Sequence, residues 1–126
     1  EMLTKLAVNG GVLQINFGSS FIIDKARTND ANPSEDYNFA TLEQVVDHFD
    51  RAVSLAGIDH VGIGSDYDGV GDTLPIGLKD VSQFPNLIEE LYKRGYSRSD
   101  IAKILGGNTA RVWREVEVYA KNQSNR

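Results

Sequence analysis

The most informative stretch of the sequence is HVGIGSDYDG at residues 60–69. Residues 60–66 combine apolar side chains with glycines in a run too short for a stable helix, so we predict a buried strand there. The glycines indicate that neighbouring backbone approaches this strand closely. An Asp- and Gly-rich stretch follows and reaches to about Val81, which predicts a long loop at the carboxyl end of the strand.

The residues before this strand predict a helix and a partner strand. The run VLQINF at residues 12–17 is apolar, short and bounded by glycines, which is typical of a second buried strand. Thr41 and Gln44 have the spacing of a capping box, and an apolar stripe at helical spacing runs from there to Gly57. Residues 24–38 are mostly polar and predict a surface loop.

The C-terminal third of the sequence predicts three more helices. Pro85 suits the first turn of one helix, and Ser97 with Asp100 suits the cap of a second. The pair Gly106-Gly107 is predicted to break that helix, after which Asn108 is predicted to cap the last one. The apolar side chains of the last helix are predicted to pack inward, and these are Val112, Val116 and Tyr119, with Trp113 as a further packing residue.

The order of these elements predicts an α/β fold. Strands that alternate with helices imply βαβ units and a parallel sheet. A sheet of two parallel strands leaves both edges open and needs cover on both faces. We therefore interpret residues 1–126 as a single partial domain, a piece of a larger α/β domain.

Composition narrows the possible partners. The sequence is 40% hydrophobic and 25% charged, as in ordinary soluble globular proteins, and its formal net charge is −5. The net negative charge and the lack of clustered Lys and Arg disfavour a nucleic-acid partner. The sequence has no cysteine, which excludes thiolate metal ligands. It also has no apolar run that approaches the length of about 20 residues needed to span a bilayer. We expect a soluble chain without a membrane segment, in the cytoplasm.

Asp66 is the candidate catalytic residue. It falls where the second predicted strand ends, and functional side chains of parallel α/β folds gather at the carboxyl ends of strands. A carboxylate there can act as a general base. Asp68 and Asp72 follow closely, so an equally open reading is that these aspartates, set among glycines, only form turns.

Two other functions of this loop fail on spacing. An EF-hand loop that starts at Asp66 would place Val70 and Gly77 at positions that need oxygen ligands. A dinucleotide-binding motif that starts at Gly62 would have Tyr67 where its third glycine is required. Neither a calcium site nor a dinucleotide site is predicted.

The two histidines do not predict a metal site. His48 lies off the apolar stripe of its helix, and His60 lies at the start of its strand, the opposite end from Asp66. A catalytic zinc site usually takes three protein ligands. We therefore predict no metal ligands in this chain.

The sequence resembles the membrane dipeptidase family, the renal dipeptidase-like M19 metallopeptidases, within the amidohydrolase-like barrels. The resemblance covers nearly the whole chain apart from the loop at residues 24–38. The matching segments occur in order along the chain, and they are GGVLQINF at 10–17, VDHFD at 46–50, Ala56-Gly57, VGIGSDYDG at 61–69, Gly77-Leu78, Asp80-Val81, Phe84-Pro85 and GGN at 106–108.

The resemblance implies a fold and an activity. The fold would be a (β/α)₈ TIM-type barrel, of which this chain supplies the last two strands and the closing helices. The family hydrolyses dipeptides with two zinc ions, and Asp66 would be the last-strand aspartate that transfers protons and contacts the substrate's free amine. Phe21 would lie near an aromatic position of the substrate pocket. The family's zinc ligands all lie upstream, so the chain alone is expected to be inactive.

Other functions stay open at this stage. The chain is either part of a dipeptidase, a noncatalytic half-barrel that binds or assembles with another chain, or part of a related amidohydrolase that acts on another small amide or lactone. A homo-oligomer formed through exposed barrel strands is a further possibility.

Overall fold

A computed structural model describes residues 1–26 and 36–124 of the chain. Two strands, β1 (Leu13–Asn16) and β2 (Val61–Ser65), form a parallel sheet. The helices are α1 (Met2–Val8), α2 (Ser19–Ile22), α3 (Leu42–Ala56), α4 (Phe84–Lys93), α5 (Arg98–Ala102) and α6 (Asn108–Ser124), with short 3₁₀ turns at Asp24–Ala26, Ile58–His60 and Val81–Gln83. The prediction of an α/β fold with a parallel strand pair is confirmed; the loop predicted at residues 24–38 lies largely outside the described residues.

The two strands pair in register until β2 reaches a bulge. Leu13 lies opposite Val61, but Asn16 lies opposite Ser65, so Gly64 has no partner of its own. A Cβ added at Gly64 would clash with Asn16 Oδ1 and come within 3.2 Å of the carbonyl oxygen of Gln14. Glycine at this position therefore lets the two backbones approach, as the sequence predicted.

The hydrophobic core lies on one face of the sheet. Alternate strand residues point to opposite faces, so Ile15 is buried while Gln14 and Asn16 are exposed. The buried apolar cluster joins both strands to α3, α4, α5 and the residues just after α5. Its main members are Ile15, Phe17, Val61, Val45, Val46, Phe49, Leu87, Leu91, Ile101 and Ile104. The stripe predicted on α3 is therefore the face that packs on the sheet.

The predicted helix caps of α3 and α5 are confirmed. The Thr41 hydroxyl accepts from the Gln44 backbone N–H at 3.4 Å, and the Gln44 side chain accepts from the Thr41 N–H at 2.9 Å. Ser97 and Asp100 exchange the same pair of bonds at the start of α5. Gly57 ends α3 with φ at +89°, a conformation that favours glycine.

The predictions for the last helix are partly wrong. Asn108 has helical backbone angles, and its side-chain amide donates to the carbonyl oxygens of Ile58 and Val61 at 2.7 and 2.8 Å, so it does not act as a cap. Val116 and Tyr119 do not pack inward, since 61% and 67% of their surfaces are exposed. Among the described residues, that side of α6 is therefore mostly exposed.

Candidate functional site

The carboxyl ends of the two strands lie side by side and hold the candidate site. Beyond the strands, the Phe17 N–H donates to the Ser65 carbonyl oxygen at 2.9 Å. Further on, the Ser19 N–H donates to the Thr73 carbonyl oxygen at 2.9 Å. These bonds join the segment after β1 to the segment after β2, so side chains from both form one edge.

Asp66 leaves this edge on an unusual turn. Ser65 and Asp66 have φ of +49° and +62°, the left-handed region that side chains other than glycine seldom adopt. The Asp66 N–H turns back to the carbonyl oxygen of Gly64 at 2.6 Å. Such conformations cost on the order of 1–3 kcal/mol each and concentrate at functional sites. The turn projects the Asp66 carboxylate from the end of β2.

Asp66 is separate from the aspartates that follow it. Its side chain is half-buried, and no residue in the described ranges donates a hydrogen bond to its carboxylate. Asp68 is exposed, and Asp72 pairs with Lys79 at 3.3 Å. The interpretation that these aspartates only form turns therefore suits Asp68 and Asp72 better than it suits Asp66.

Tyr67 anchors the strained turn and was missed by the sequence analysis. Its ring lies 5.7 Å from the Phe17 ring, edge to face, and 5.8 Å from the Phe84 ring. Its hydroxyl is buried without a hydrogen-bond partner among the described residues. Burial, and then the charge of Asp80, raise the pKa of Tyr67 to about 12, so the phenol is neutral at ordinary pH. In the sequence, the only sign of this role is that an aromatic residue stands between Asp66 and Asp68.

Phe21 lies at the same edge of the sheet as Asp66. It is part of α2, directly after β1, and 56% of its surface is exposed. A Cβ added at Gly18 would come within 3.0 Å of the Phe21 ring and 3.3 Å of Val70, a residue of the loop after Asp66. The ring thus lies close to Gly18 and is more than half exposed. Its role in substrate binding stays a prediction.

Both histidines have structural partners. The His48 ring Nε2 lies 3.0 Å from the Ile22 carbonyl oxygen, and the His60 ring Nδ1 lies 2.8 Å from the Gly11 carbonyl oxygen. A carbonyl can only accept, so each ring nitrogen carries a proton there. These bonds join α3 to α2, and the start of β2 to the start of β1.

The aspartates of the VDHFD segment also serve the fold. Arg94, at the end of α4, donates to Asp47 and Asp50 at 2.7 Å each, and Tyr96 donates to Asp50 at 2.8 Å. Within residues 1–26 and 36–124, no three His, Asp or Glu side chains converge in a way that would hold a metal ion. The described residues of this chain therefore do not form a zinc site by themselves.

The fold is that of a parallel α/β protein, and Asp66 and Phe21 both follow the carboxyl ends of its strands. The chain belongs to the membrane dipeptidase family, peptidase family M19, whose family model matches residues 1–126. The resemblance seen in the sequence is confirmed. No helix in the described part of the chain has both the length and the apolar character needed to cross a membrane.

Known relatives are longer proteins. Dipeptidase ataJ of Aspergillus terreus is 42% identical over 120 residues, which cover 95% of this chain and 27% of that protein. The probable dipeptidase PvdM of Pseudomonas aeruginosa has a crystal structure that matches 88% of this chain and 38% of its own, with a TM-score of 0.73 and 30% identity. A Rhodobacter sphaeroides metallopeptidase, solved with a phosphinate mimic of the dipeptide L-Ala-D-Ala, matches 84% of this chain and 27% of its own, with a TM-score of 0.66 and 30% identity. The chain thus spans about a quarter of the curated relative.

Proposed function

We propose that this chain forms part of a zinc-dependent dipeptidase with a (β/α)₈ TIM-type barrel, and that Asp66 is its proton-transfer residue. The single observation that carries the proposal is the position of Asp66 in a chain of the M19 family. Its carboxylate leaves the carboxyl end of β2 on a left-handed turn, with no donor in the described ranges. Active sites of (β/α)₈ barrels lie at this end of the strands.

The chemistry of peptide hydrolysis suits a carboxylate without a fixed partner. Attack by water requires a group that accepts a proton, and departure of the amine requires one that returns it. Asp66 can serve both steps if no other side chain occupies its oxygens. The same negative charge would attract the free ammonium group of a dipeptide, which fixes one end of the substrate.

Phe21 is the proposed substrate contact of the chain. Its exposed ring lies at the same edge as Asp66 and offers an apolar surface. Dipeptide side chains that approach the carboxyl ends of the strands would pass this ring. The relatives support a dipeptide as substrate through their names and through the dipeptide mimic bound to the Rhodobacter sphaeroides enzyme.

The zinc dependence is proposed because of the family to which the chain belongs and not because of ligands in this chain. Metallopeptidase relatives support a metal-dependent reaction. Among the described residues no group of His, Asp and Glu side chains could hold a metal ion, so we expect the two zinc ions of the whole enzyme to take their ligands from the rest of the domain. The chain alone is therefore expected to hydrolyse no dipeptide.

A chimera tests this function. In Dipeptidase ataJ the shared segment is replaced by this chain, and zinc-supplemented hydrolysis of dipeptides is compared with that of small amides and lactones. We expect the chimera to hydrolyse dipeptides and the chain alone to be inactive. A folded, zinc-loaded chimera that acts only on the amides or lactones would instead favour an amidohydrolase with another substrate. One that acts on neither would favour a noncatalytic module.

A further inference from the structure

Phe17 holds the turn at Asp66 from both sides. Its backbone N–H donates to the Ser65 carbonyl oxygen at 2.9 Å, which fixes the residue before Asp66. Its ring lies 5.7 Å from the Tyr67 ring, edge to face, which fixes the residue after Asp66. Phe17 itself is fully buried in the apolar cluster, and close-packed interiors leave such a side chain little room to move. One buried residue therefore restrains both neighbours of Asp66.

The Tyr67 ring has a second aromatic neighbour. The Phe84 ring lies 5.8 Å away, and the two ring planes are inclined by 33°. Phe84 is the first residue of α4, whereas Phe17 follows β1. Aromatic pairs at such separations attract each other beyond the effect of burying their surface. The half-buried Tyr67 ring is thus clamped between two elements, and its backbone directly follows Asp66.

The turn needs this support because its backbone conformation is unfavourable. Ser65 and Asp66 both have positive φ, and neither is a glycine. Residues in such conformations keep them only where the surrounding structure enforces them. Without the Tyr67 ring, one flank of the turn would lose its contacts, and the backbone could relax to negative φ. The Asp66 carboxylate would then leave the strand in another direction.

The hydroxyl of Tyr67 does not contribute to this support. It is buried without a hydrogen-bond partner in the part of the chain that the structure describes. The ring alone makes the contacts with Phe17 and Phe84, so a phenylalanine would hold the turn equally well. This distinguishes a role of the ring from one in which the hydroxyl transfers a proton or binds a substrate.

We propose that Tyr67 is a positioning residue, whose ring, clamped between Phe17 and Phe84, sets the direction of the Asp66 carboxylate. This role rests on the proposed function only because Asp66 is taken to act on the substrate; the control of the turn by the ring does not depend on it. A displacement of about 1 Å at a reacting group can reduce a rate by about 10². Loss of the ring should therefore lower kcat without removing any group that reacts.

Substitutions in the chimera of Dipeptidase ataJ and this chain test the role of the ring. Tyr67→Phe keeps the ring, and Tyr67→Leu removes it but keeps an apolar side chain. For a dipeptide, we expect kcat to stay within about twofold in Tyr67→Phe and to fall about 10- to 100-fold in Tyr67→Leu.

Tyr96→Leu is the matched control for the loss of a ring. Tyr96 is also a half-buried tyrosine, but it donates to Asp50 at 2.8 Å and lines the same hollow as Ile58, which precedes β2. It therefore lies away from the carboxyl ends of the strands. In the folded chimera, Tyr96→Leu should lower kcat by less than about threefold.

A double substitution shows whether the ring acts through Asp66. In the chimera that carries Asp66→Asn the carboxylate is already lost, so Tyr67→Leu should lower kcat there by less than about threefold. Equal losses with and without Asp66→Asn would overturn the proposal, because the ring would then support the fold in general. A Tyr67→Phe variant as impaired as Tyr67→Leu would also overturn it. If Tyr67→Leu does not fold, Phe84→Leu replaces it, with an expected loss of about threefold or more that Asp66→Asn again abolishes.

Crystal structures of the chimera and its variants test the turn independently of catalysis. We expect Ser65 and Asp66 to keep positive φ in Tyr67→Phe, and at least one of them to reach negative φ in the variant that lacks a ring. Positive φ at both residues in that variant would overturn the proposal whatever the kinetics show. If the turn relaxes but Asp66→Asn leaves kcat unchanged, the control of the turn by Tyr67 stands and the proposed function fails.

Discussion

The side-chain amide of Asn108 donates to the Val61 carbonyl oxygen at 2.8 Å, which fastens the first residue of α6 to the first residue of β2. The same amide donates to the Ile58 carbonyl oxygen at 2.7 Å. Asn108 itself is 3% exposed, so these bonds are shielded from water. One buried side chain thus fixes where the C-terminal helix leaves the sheet.

Asn108→Ala is expected to destabilise the chain. The change leaves two carbonyl oxygens without their donor in a buried place, which costs about 1–3 kcal/mol of the free energy of unfolding. Urea denaturation measures this cost. Asn86→Ala is the matched control, because Asn86 is exposed and donates once, to the Gly77 carbonyl oxygen at 2.9 Å. Equal losses in both variants would contradict the role assigned to Asn108.

Gly64→Ala is expected to disrupt the strand pair. The added methyl group would meet Asn16 Oδ1 and the Gln14 backbone, and the backbone cannot move without breaking the bulge. We expect a loss of about 1–3 kcal/mol of unfolding free energy. Gly62→Ala, on the same strand, places a methyl group at ordinary distances of 3.4 Å or more, so it should lose much less. A Gly62 variant as unstable as the Gly64 variant would show that the bulge is not the constraint.

Tyr67→Phe is expected to preserve or raise stability. It removes a buried hydroxyl that has no partner in the described ranges and keeps the ring between Phe17 and Phe84. The gain should be about 1 kcal/mol. Tyr96→Phe is the contrasting variant, because it removes the bond to Asp50 at 2.8 Å and should destabilise the fold. A large loss in the Tyr67 variant would mean that its hydroxyl has a partner.

The same hydroxyl is expected to make the chain less stable at alkaline pH. The pKa of Tyr67 is raised to about 12 in the fold, first by burial and then by the Asp80 charge, against about 10 in the unfolded chain. Because the pKa is raised in the folded state, the protonated phenol contributes fully to the free energy of unfolding below pH 10. That contribution is lost as the pH rises toward 12. Urea midpoints from pH 9 to 12 should fall less in Tyr67→Phe than in the wild-type chain. Identical slopes would contradict the burial of this hydroxyl.

The carboxyl group of Asp100 is expected to make the chain less stable in acid. The Ser97 hydroxyl, at 2.6 Å, and the Ser97 N–H, at 3.0 Å, donate to its carboxylate and lower its pKa. Because the pKa is lowered in the folded state, the ionised carboxylate contributes to the free energy of unfolding above its usual pKa of about 3.9. That contribution is lost as the pH falls through the pKa of the folded state. Asp100→Asn keeps the size of the side chain but does not titrate. Its urea midpoint should depend less on pH between 5 and 2 than that of the wild-type chain.

Features that depend on neighbours in sequence could be predicted from the sequence. The caps at Thr41 and Ser97 involve residues three positions apart, so the spacing alone identified them. The parallel strand pair followed from two short apolar runs with a helix between them. The position of Asp66 after the second strand followed from the same pattern.

Features that depend on distant contacts could not be predicted. The acceptors of the Asn108 amide lie 47 and 50 residues away along the chain, so its sequence position suggested a cap instead. The burial of Tyr67, whose hydroxyl has no partner in the described ranges, depends on Phe17 and Phe84, which come from other elements. The apolar pattern of α6 predicted inward packing, but periodicity does not tell which protein surface a helix meets.

Asp66 is proposed to transfer protons during dipeptide hydrolysis, and this role is best tested by kinetics. In the chimera of Dipeptidase ataJ and this chain, Asp66→Asn is compared with Asp68→Asn, an exposed aspartate two residues further along the same loop. We expect kcat for a dipeptide to fall by about 10²–10⁴ in the Asp66 variant and by less than about threefold in the Asp68 variant, with both proteins folded and zinc-loaded. If the Asp66 variant keeps most of its kcat, Asp66 does not transfer the proton.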